Sequence, residues 1–299
     1  MDGTDTLQED DADLLSDAAV AELRRHPRLR ETVEAYAASV LDLYEREEPA
    51  TRWLTKDLGR AGLYLGAAIL DATPSGLTVA GLAQVAAAQQ VCSRGRVLAF
   101  AHYALASGRL AIAQGPQAWV QRRLTLTPAF IEPLRQRLAA SLRATAMLAP
   151  EVAAALPALA SDATVQQASI AVGLLLTARP ELHHNPGGPL RQIFIARDGG
   201  MRILQHLMLS QPAGRARLLE AAPLSRADLA RRYGVSRTHV NRLLAEAEAA
   251  GALRLDGPNR VTFSPGFSDE AEAFFAGQLL VQRMVARTMM AHAQRTQSP

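Results

Sequence analysis

Five neighbouring side chains, Arg237, Thr238, His239, Asn241 and Arg242, combine hydrogen-bond donors and acceptors at helical spacing. An arginine fork can donate two bonds to the O6 and N7 of guanine, an asparagine amide can satisfy both polar groups of an adenine edge, and threonine can meet a base or a methyl group. Val240, Leu243, Leu244 and Ala247 follow the i, i+3, i+4, i+7 rule, which sinks one helix face into a core and leaves the five outside. Ser236 can cap the helix start. The outer face is therefore built to touch something polar.

The elements around this helix must hold it. Upstream, Ser225 can cap a helix with Asp228 three residues on to complete a capping box, Leu229, Ala230 and Tyr233 share one face, and Gly234 supplies a turn. Downstream, Leu253 to Phe267 alternates like a short hairpin around Gly257-Pro258 and ends on a capping Ser264 and Pro265 that start a new helix. Leu224 to Phe267 thus reads as a winged helix-turn-helix. Arg226, Arg231 and Arg232 are candidate phosphate contacts on its first helix, and wing residues Asn259 and Arg260 would lie over the neighbouring backbone or minor groove.

The same pattern occurs earlier in the chain. LTVAGLA at Leu77 to Ala83 matches LSRADLA at Leu224 to Ala230, CSRGRV at Cys92 to Val97 matches VSRTHV at Val235 to Val240, and LTLTPAF at Leu124 to Phe130 matches VTFSPGF at Val261 to Phe267. Gly108 and Gly251, and Gly115-Pro116 and Gly257-Pro258, also correspond. One difference stands out: about four extra residues lie between the two helices of the first copy, around Val85 to Gln90. In that copy Ser93, Arg94 and Arg96 at the helix start and Arg122 and Arg123 on the wing are candidate backbone contacts, while Leu98 and Ala99 stand where the second copy has Asn241 and Arg242. No acid occurs between Asp71 and Glu132, so that stretch is +5, against +3 for Leu224 to Phe267. The expectation is a division of labour, with base reading by the second copy and phosphate holding by the first.

Periodic stretches at Leu29 to Glu47 and Thr51 to Asp71 precede the first copy, an alanine-rich helical stretch broken at Pro157 and the loop His183 to Pro189 separate the copies, and long helices follow each wing. These give an acidic tail over 1–23, a first winged-helix domain with flanking helices over 24–150, a connector and loop over 151–189, and a second winged-helix domain with a C-terminal helix over 190–299. The fold class expected is mainly α, as two tandem winged helix-turn-helix domains with two-stranded β-wings and long flanking helices.

Of the 299 residues, 48% are hydrophobic and 20% charged, as in soluble globular chains. Met1 to Leu23 carries eight acids and no base, which leaves the remainder at +11 from a formal total of +3. This tail reads either as a solvated end or as a flap that competes with an acidic polymer for a basic surface. Cys92 is the single cysteine, so no internal disulfide forms, and no apolar run reaches spanning length. A reducing cytoplasm is expected. Cys92 sits near Arg94 and could be an oxidation sensor, yet its repeat partner Val235 favours a small apolar packing residue. His183, His184 and His206 match no standard metal-ligand spacing, and nothing resembles a catalytic constellation. No metal, no cofactor and no enzymatic activity are expected.

Flanking helices, helix-turn-helix, wing and long terminal helix together resemble MarR-type winged-helix regulators. SRTHVNRLLAEAEAAGAL is also similar to the winged helix of Crp-type regulators, though the chain lacks a Gly-rich β-roll for a cyclic nucleotide. The resemblance covers roughly Leu29 to Gln294. Members of the MarR family are usually dimers with intertwined terminal helices, so two copies in one chain imply a monomeric, fused pseudo-dimer that binds double-stranded DNA at an asymmetric site and controls transcription. A small-molecule effector between the helical region and the heads is a compatible partner, and a membrane is not. A protein-interaction scaffold with little direct DNA reading, docking a partner helix on Leu98, Ala99, Phe100 and Tyr103, is the alternative.

Overall fold

Hydroxyl and carboxylate caps at Ser16, Asp57, Thr78, Ser225 and Ser236 set where five helices of this chain begin. The computed structural model describes residues 15–90, 92–178 and 188–297; most of the acidic tail, and the loop histidines His183 and His184, lie outside them. The protein is mainly helical, with small antiparallel sheets of two and three strands. Among the described residues no helix is long and apolar enough to cross a membrane.

Four helices lead to the first head: α1 (Asp17–Arg24), α2 (Leu29–Arg46), α3 (Pro49–Leu54) and α4 (Leu58–Asp71). The stretch expected as one helix from Thr51 to Asp71 is broken at Asp57, whose backbone is extended and whose side chain accepts the Arg60 N–H at 3.0 Å and opens α4 as an N-cap. The first head comprises α5 (Val79–Ala88), α6 (Arg94–Ala106), and the paired strands β1 (Leu110–Ile112) and β2 (Leu124–Leu126), followed by α7 (Pro128–Thr145). A 3₁₀ run over Pro150–Ala160 then precedes α8 (Asp162–Ala178). Proline tolerates the tighter run, so the chain breaks at Ser161 and not at Pro157.

Beyond a π-turn over Leu190–Ile195 comes α9 (Gly200–Leu209), and then the second head: β3 (Ala221–Pro223), α10 (Arg226–Tyr233), α11 (Arg237–Ala249), β4 (Leu253–Leu255) and β5 (Arg260–Phe263). Strand β5 lies between β3 and β4, antiparallel to both. The long α12 (Pro265–Gln297) closes the chain.

The two heads repeat in detail. Thr78 and Ser225 cap α5 and α10 by accepting the N–H three residues on. Val97, Phe100, Ala101 and Ala104 are buried on α6 as Val240, Leu243, Leu244 and Ala247 are on α11. Gly95 costs α6 about 1 kcal/mol of helix propensity; burial of Val97 and Phe100, at about 1.5–3 kcal/mol each, outweighs it. Both helices end on a glycine at φ 70, Gly108 and Gly251, and there the N–H of Arg109 bonds the Ala104 carbonyl and that of Ala252 the Ala247 carbonyl, each at 2.9 Å. The four extra residues of the first copy divide evenly. Helix α5 has ten residues against eight in α10, and the turn takes the other two, with Gln90 at φ 51 where the second copy uses Gly234.

The chain forms two compact units, and neither is a contiguous stretch. One combines 1–42, 141–152 and 185–284; the other combines 43–140, 153–184 and 285–299. The sequence places its boundaries contiguously, whereas each compact unit takes segments from both halves of the chain. In the first unit Tyr36 meets Phe275 edge-on at 6.4 Å, Arg24 pairs with Asp269 at 3.2 Å, and Arg215 pairs with Glu34. In the second, Tyr64 stacks on Phe130 at 4.0 Å and donates its hydroxyl to the Phe130 carbonyl, over a core of Leu63, Leu77, Leu82, Phe100 and Leu124.

Candidate nucleic-acid interface

The second head positions its outward face through three local devices. Ser225 accepts the Asp228 N–H and starts α10; Gly234 turns the chain at φ 62; Ser236 accepts the His239 N–H at 3.0 Å and starts α11. With Val240, Leu243, Leu244 and Ala247 committed to the core, Arg237, Thr238, Asn241 and Arg242 are exposed. Among the described residues the side chains of Arg237, Thr238 and Asn241 have no hydrogen-bond or ion-pair partner, which leaves donors and acceptors ready for an external ligand. Arg242 is steered loosely by Glu246 at 4.0 Å and by His239 Nδ1 at 3.4 Å.

His239 departs from expectation. It is half-buried, and its Nε2 lies 2.9 Å from the Asp198 carbonyl, so the ring docks α11 onto the loop before α9 and is not offered to a base. Arg197 of that loop pairs with Glu246 at 2.8 Å, a second hold on α11 two turns further along. Sequence spacing could not show these clamps, because their partners lie 41 and 49 residues upstream.

The backbone candidates divide. Arg226 donates to the Pro258 carbonyl and ties α10 to the wing tip, which withdraws it from phosphate contact. Arg231 pairs with Asp228 yet is 82% exposed, and Arg232 is exposed beside it. On the wing, Asn259 and Arg260 are exposed, and the Asp256 carboxyl is held below its usual range by the Thr262 hydroxyl and by Arg254 at 2.7 Å, which fixes the tip. Glu248 accepts the Leu255 N–H at 2.7 Å and joins α11 to the wing strand.

The first head is less positive than its sequence suggests. Arg109 is buried at 4% exposure, bonded to Glu48 at 2.6 Å and to Thr51. Arg96 lies 3.5 Å from Asp57, and the Arg123 charge acts on the Asp71 carboxyl. Three carboxylates that precede the acid-free stretch therefore fold against it, and counting charge within that stretch missed them. Arg122 is half-buried on the Gln117 carbonyl at 2.9 Å, Ser93 begins α6 without a side-chain cap bond, and Arg94 is exposed with no side-chain partner among the described residues. The wing differs too. Gly115 to Leu124 is five residues longer than Gly257 to Val261, and the extra residues form a 3₁₀ turn at Trp119–Gln121 whose Trp119 ring lies 4.4 Å from the His102 ring of α6. Cys92 is half-buried against the head's core and burial pushes its thiol up, as suits a packing residue. His206 hydrogen-bonds the Tyr233 hydroxyl at 3.0 Å. An open cavity of about 350 Å³ in the first compact unit is lined by Arg24, His26, Arg30, Arg215 and Glu272.

No family model, no curated protein and no solved structure matches this chain.

Proposed function

We propose that the chain is a sequence-specific, double-stranded-DNA-binding regulator of transcription, acting in the cytoplasm and built as two winged helix-turn-helix repeats in one polypeptide, in the manner of MarR-type regulators. The observation that carries this reading is the outer face of α11: Arg237, Thr238 and Asn241 exposed and without side-chain partners, Arg242 beside them, on a helix whose opposite face is sealed in the core. A guanidinium, a hydroxyl and an amide left without protein partners at a helix start exchange water for a polar ligand at little cost, and base edges match that set. The wing residues Asn259 and Arg260, with Arg231 and Arg232 on α10, flank the face as backbone contacts. Segments from both halves of the chain contribute to each compact unit, an arrangement that fits the intertwined helices of a fused dimer.

Fluorescence anisotropy with random-sequence duplex DNA tests the reading. Affinity should fall steeply between about 50 and 200 mM salt as counterions are reabsorbed. A salt-insensitive chain would point to an apolar protein interface. Asn241→Ala combined with Arg242→Ala should cost discrimination between selected and random duplexes, by about 1–3 kcal/mol for each lost base contact, with smaller losses on random DNA.

A further inference from the structure

We infer that the chain reads bases through the second head alone, so that one molecule recognises one uninterrupted half-site, and that the first head has lost its base-reading side chains and carries its own wing against α6. This rests on the DNA-binding reading above.

The reading positions themselves have been emptied. Arg94, Gly95, Leu98, Ala99 and His102 of α6 stand where α11 carries Arg237, Thr238, Asn241, Arg242 and Ala245. Gly95 has no side chain, Ala99 no polar group, and Leu98 is half-buried against the core of the head. A major groove distinguishes base pairs through hydrogen-bond patterns and the thymine methyl, and two of those five positions could still donate.

One of the two, His102, is exposed, but its ring is engaged by the wing. Its ring packs on Trp119 at 4.4 Å, and Val120 beside Trp119 packs against the head's core, so the longer wing lies on the helix two turns from its start. At the corresponding place the second head has an exposed Ala245, and its shorter wing tip is tied to α10 through Arg226. A groove about 12 Å wide that just admits a helix leaves little room for an indole tilted against a side chain of that helix.

The charge has gone the same way. Arg96, Arg109 and Arg123 are opposed by Asp57, Glu48 and Asp71, and Arg122 is engaged by the Gln117 carbonyl. Among these five arginines, Arg94 is exposed and has no carboxylate or carbonyl opposing it among the described residues, which makes it the first choice for a phosphate contact.

Selection of the full chain on a random duplex library, followed by sequencing, tests this. The expected motif is one contiguous block. Asn241→Ala with Arg242→Ala should flatten it, while Arg94→Ala and His102→Ala should leave its base preferences unchanged, Arg94→Ala reducing the salt slope of binding by about one. Two separated blocks, or a block that survives the α11 substitutions, would overturn the inference while leaving DNA binding intact. No enriched motif at all would sink both. Thermal melts of each variant separate lost recognition from lost folding.

Discussion

His239 shows how a residue of the right type in the right register can serve another end. The Asp198 carbonyl can only accept, so Nε2 must carry the proton, and Nδ1 is then the acceptor that faces Arg242 Nη2. His239→Gln can keep the first bond through its amide N–H; His239→Ala keeps neither. Alanine should therefore cost about 0.5–1.5 kcal/mol of folding stability and, on the proposed function, weaken selected and random DNA alike, whereas glutamine should restore stability and relax preference only at the base pair proposed to meet Arg242. Urea denaturation and competition binding separate the two, and a loss of stability with glutamine equal to that with alanine would refute the docking role. Arg109 gives the converse lesson. Its partner Glu48 is 76% exposed, which on its own suggests a negligible surface pair, but Arg109 is 5% exposed and Glu48→Gln strands the buried partner. That change should cost about 1–3 kcal/mol, compared with less than about 0.5 kcal/mol for Glu31→Gln in the pair with Arg28, exposed on both sides. Chemical denaturation of the two variants reads the difference directly. The face of α11 was legible because spacing alone decides which side is buried. The roles of His239 and Arg109 were not, because a carbonyl and a carboxylate far upstream decide them.

Turns and caps, at the scale of elements, were read well wherever the deciding residue is local. Ser225, Ser236 and Gly234 all sit where composition places them, since each effect spans four or five residues, and Gly108 and Gly251, matched between the copies, both close their helices. Asp57 is an exception of degree: its capping chemistry is local, but the apolar period runs through it and hid the break. The length of the first wing was countable and still uninformative until Trp119 was seen on His102. Two glycines, Gly234 in the second head and Gly200 at the start of α9, predict unequal costs. At Gly234 a Cβ would meet nothing within 4 Å, so Gly234→Ala bears only the left-handed backbone, about 1–2 kcal/mol. At Gly200 a Cβ would stand 2.5 Å from the Phe194 carbonyl oxygen, a backbone atom that cannot swing aside. Gly200→Ala must displace the π-turn over Leu190–Ile195 and, with it, the Arg197–Asp198 loop that holds α11. It should be the more destabilising of the two by denaturant midpoint, and unlike Gly234→Ala it should also change DNA preference if that loop sets the pose of the helix.

At the scale of the whole molecule, the repeat suggests two heads that could be cut apart, and the compact units argue otherwise. The unit that holds the second head includes 1–42, from the opposite end of the chain. A fragment over 190–299 would leave Phe275 without Tyr36, Arg215 without Glu34 and Asp269 without Arg24. Ion pairs at the surface contribute little, so the decisive loss is apolar. Tyr36 is one of a row with Leu29, Val33 and Ala37 on α2, the last three buried, and a row of that kind withdrawn from water stabilises by several kcal/mol, about 25 cal/mol for each Å². That is a large part of the 5–15 kcal/mol that holds an ordinary domain together. The fragment 190–299 expressed alone should therefore unfold without a cooperative transition or self-associate to cover its apolar face. Residues 1–178 and 188–299 expressed as two chains should copurify as a one-to-one complex that unfolds in a single step, because the interleaving needs both segments and not the covalent connector. Sedimentation and thermal unfolding of the fragment and of the pair decide the matter: a monomeric, cooperatively folded 190–299 would show that the second head is an autonomous domain after all.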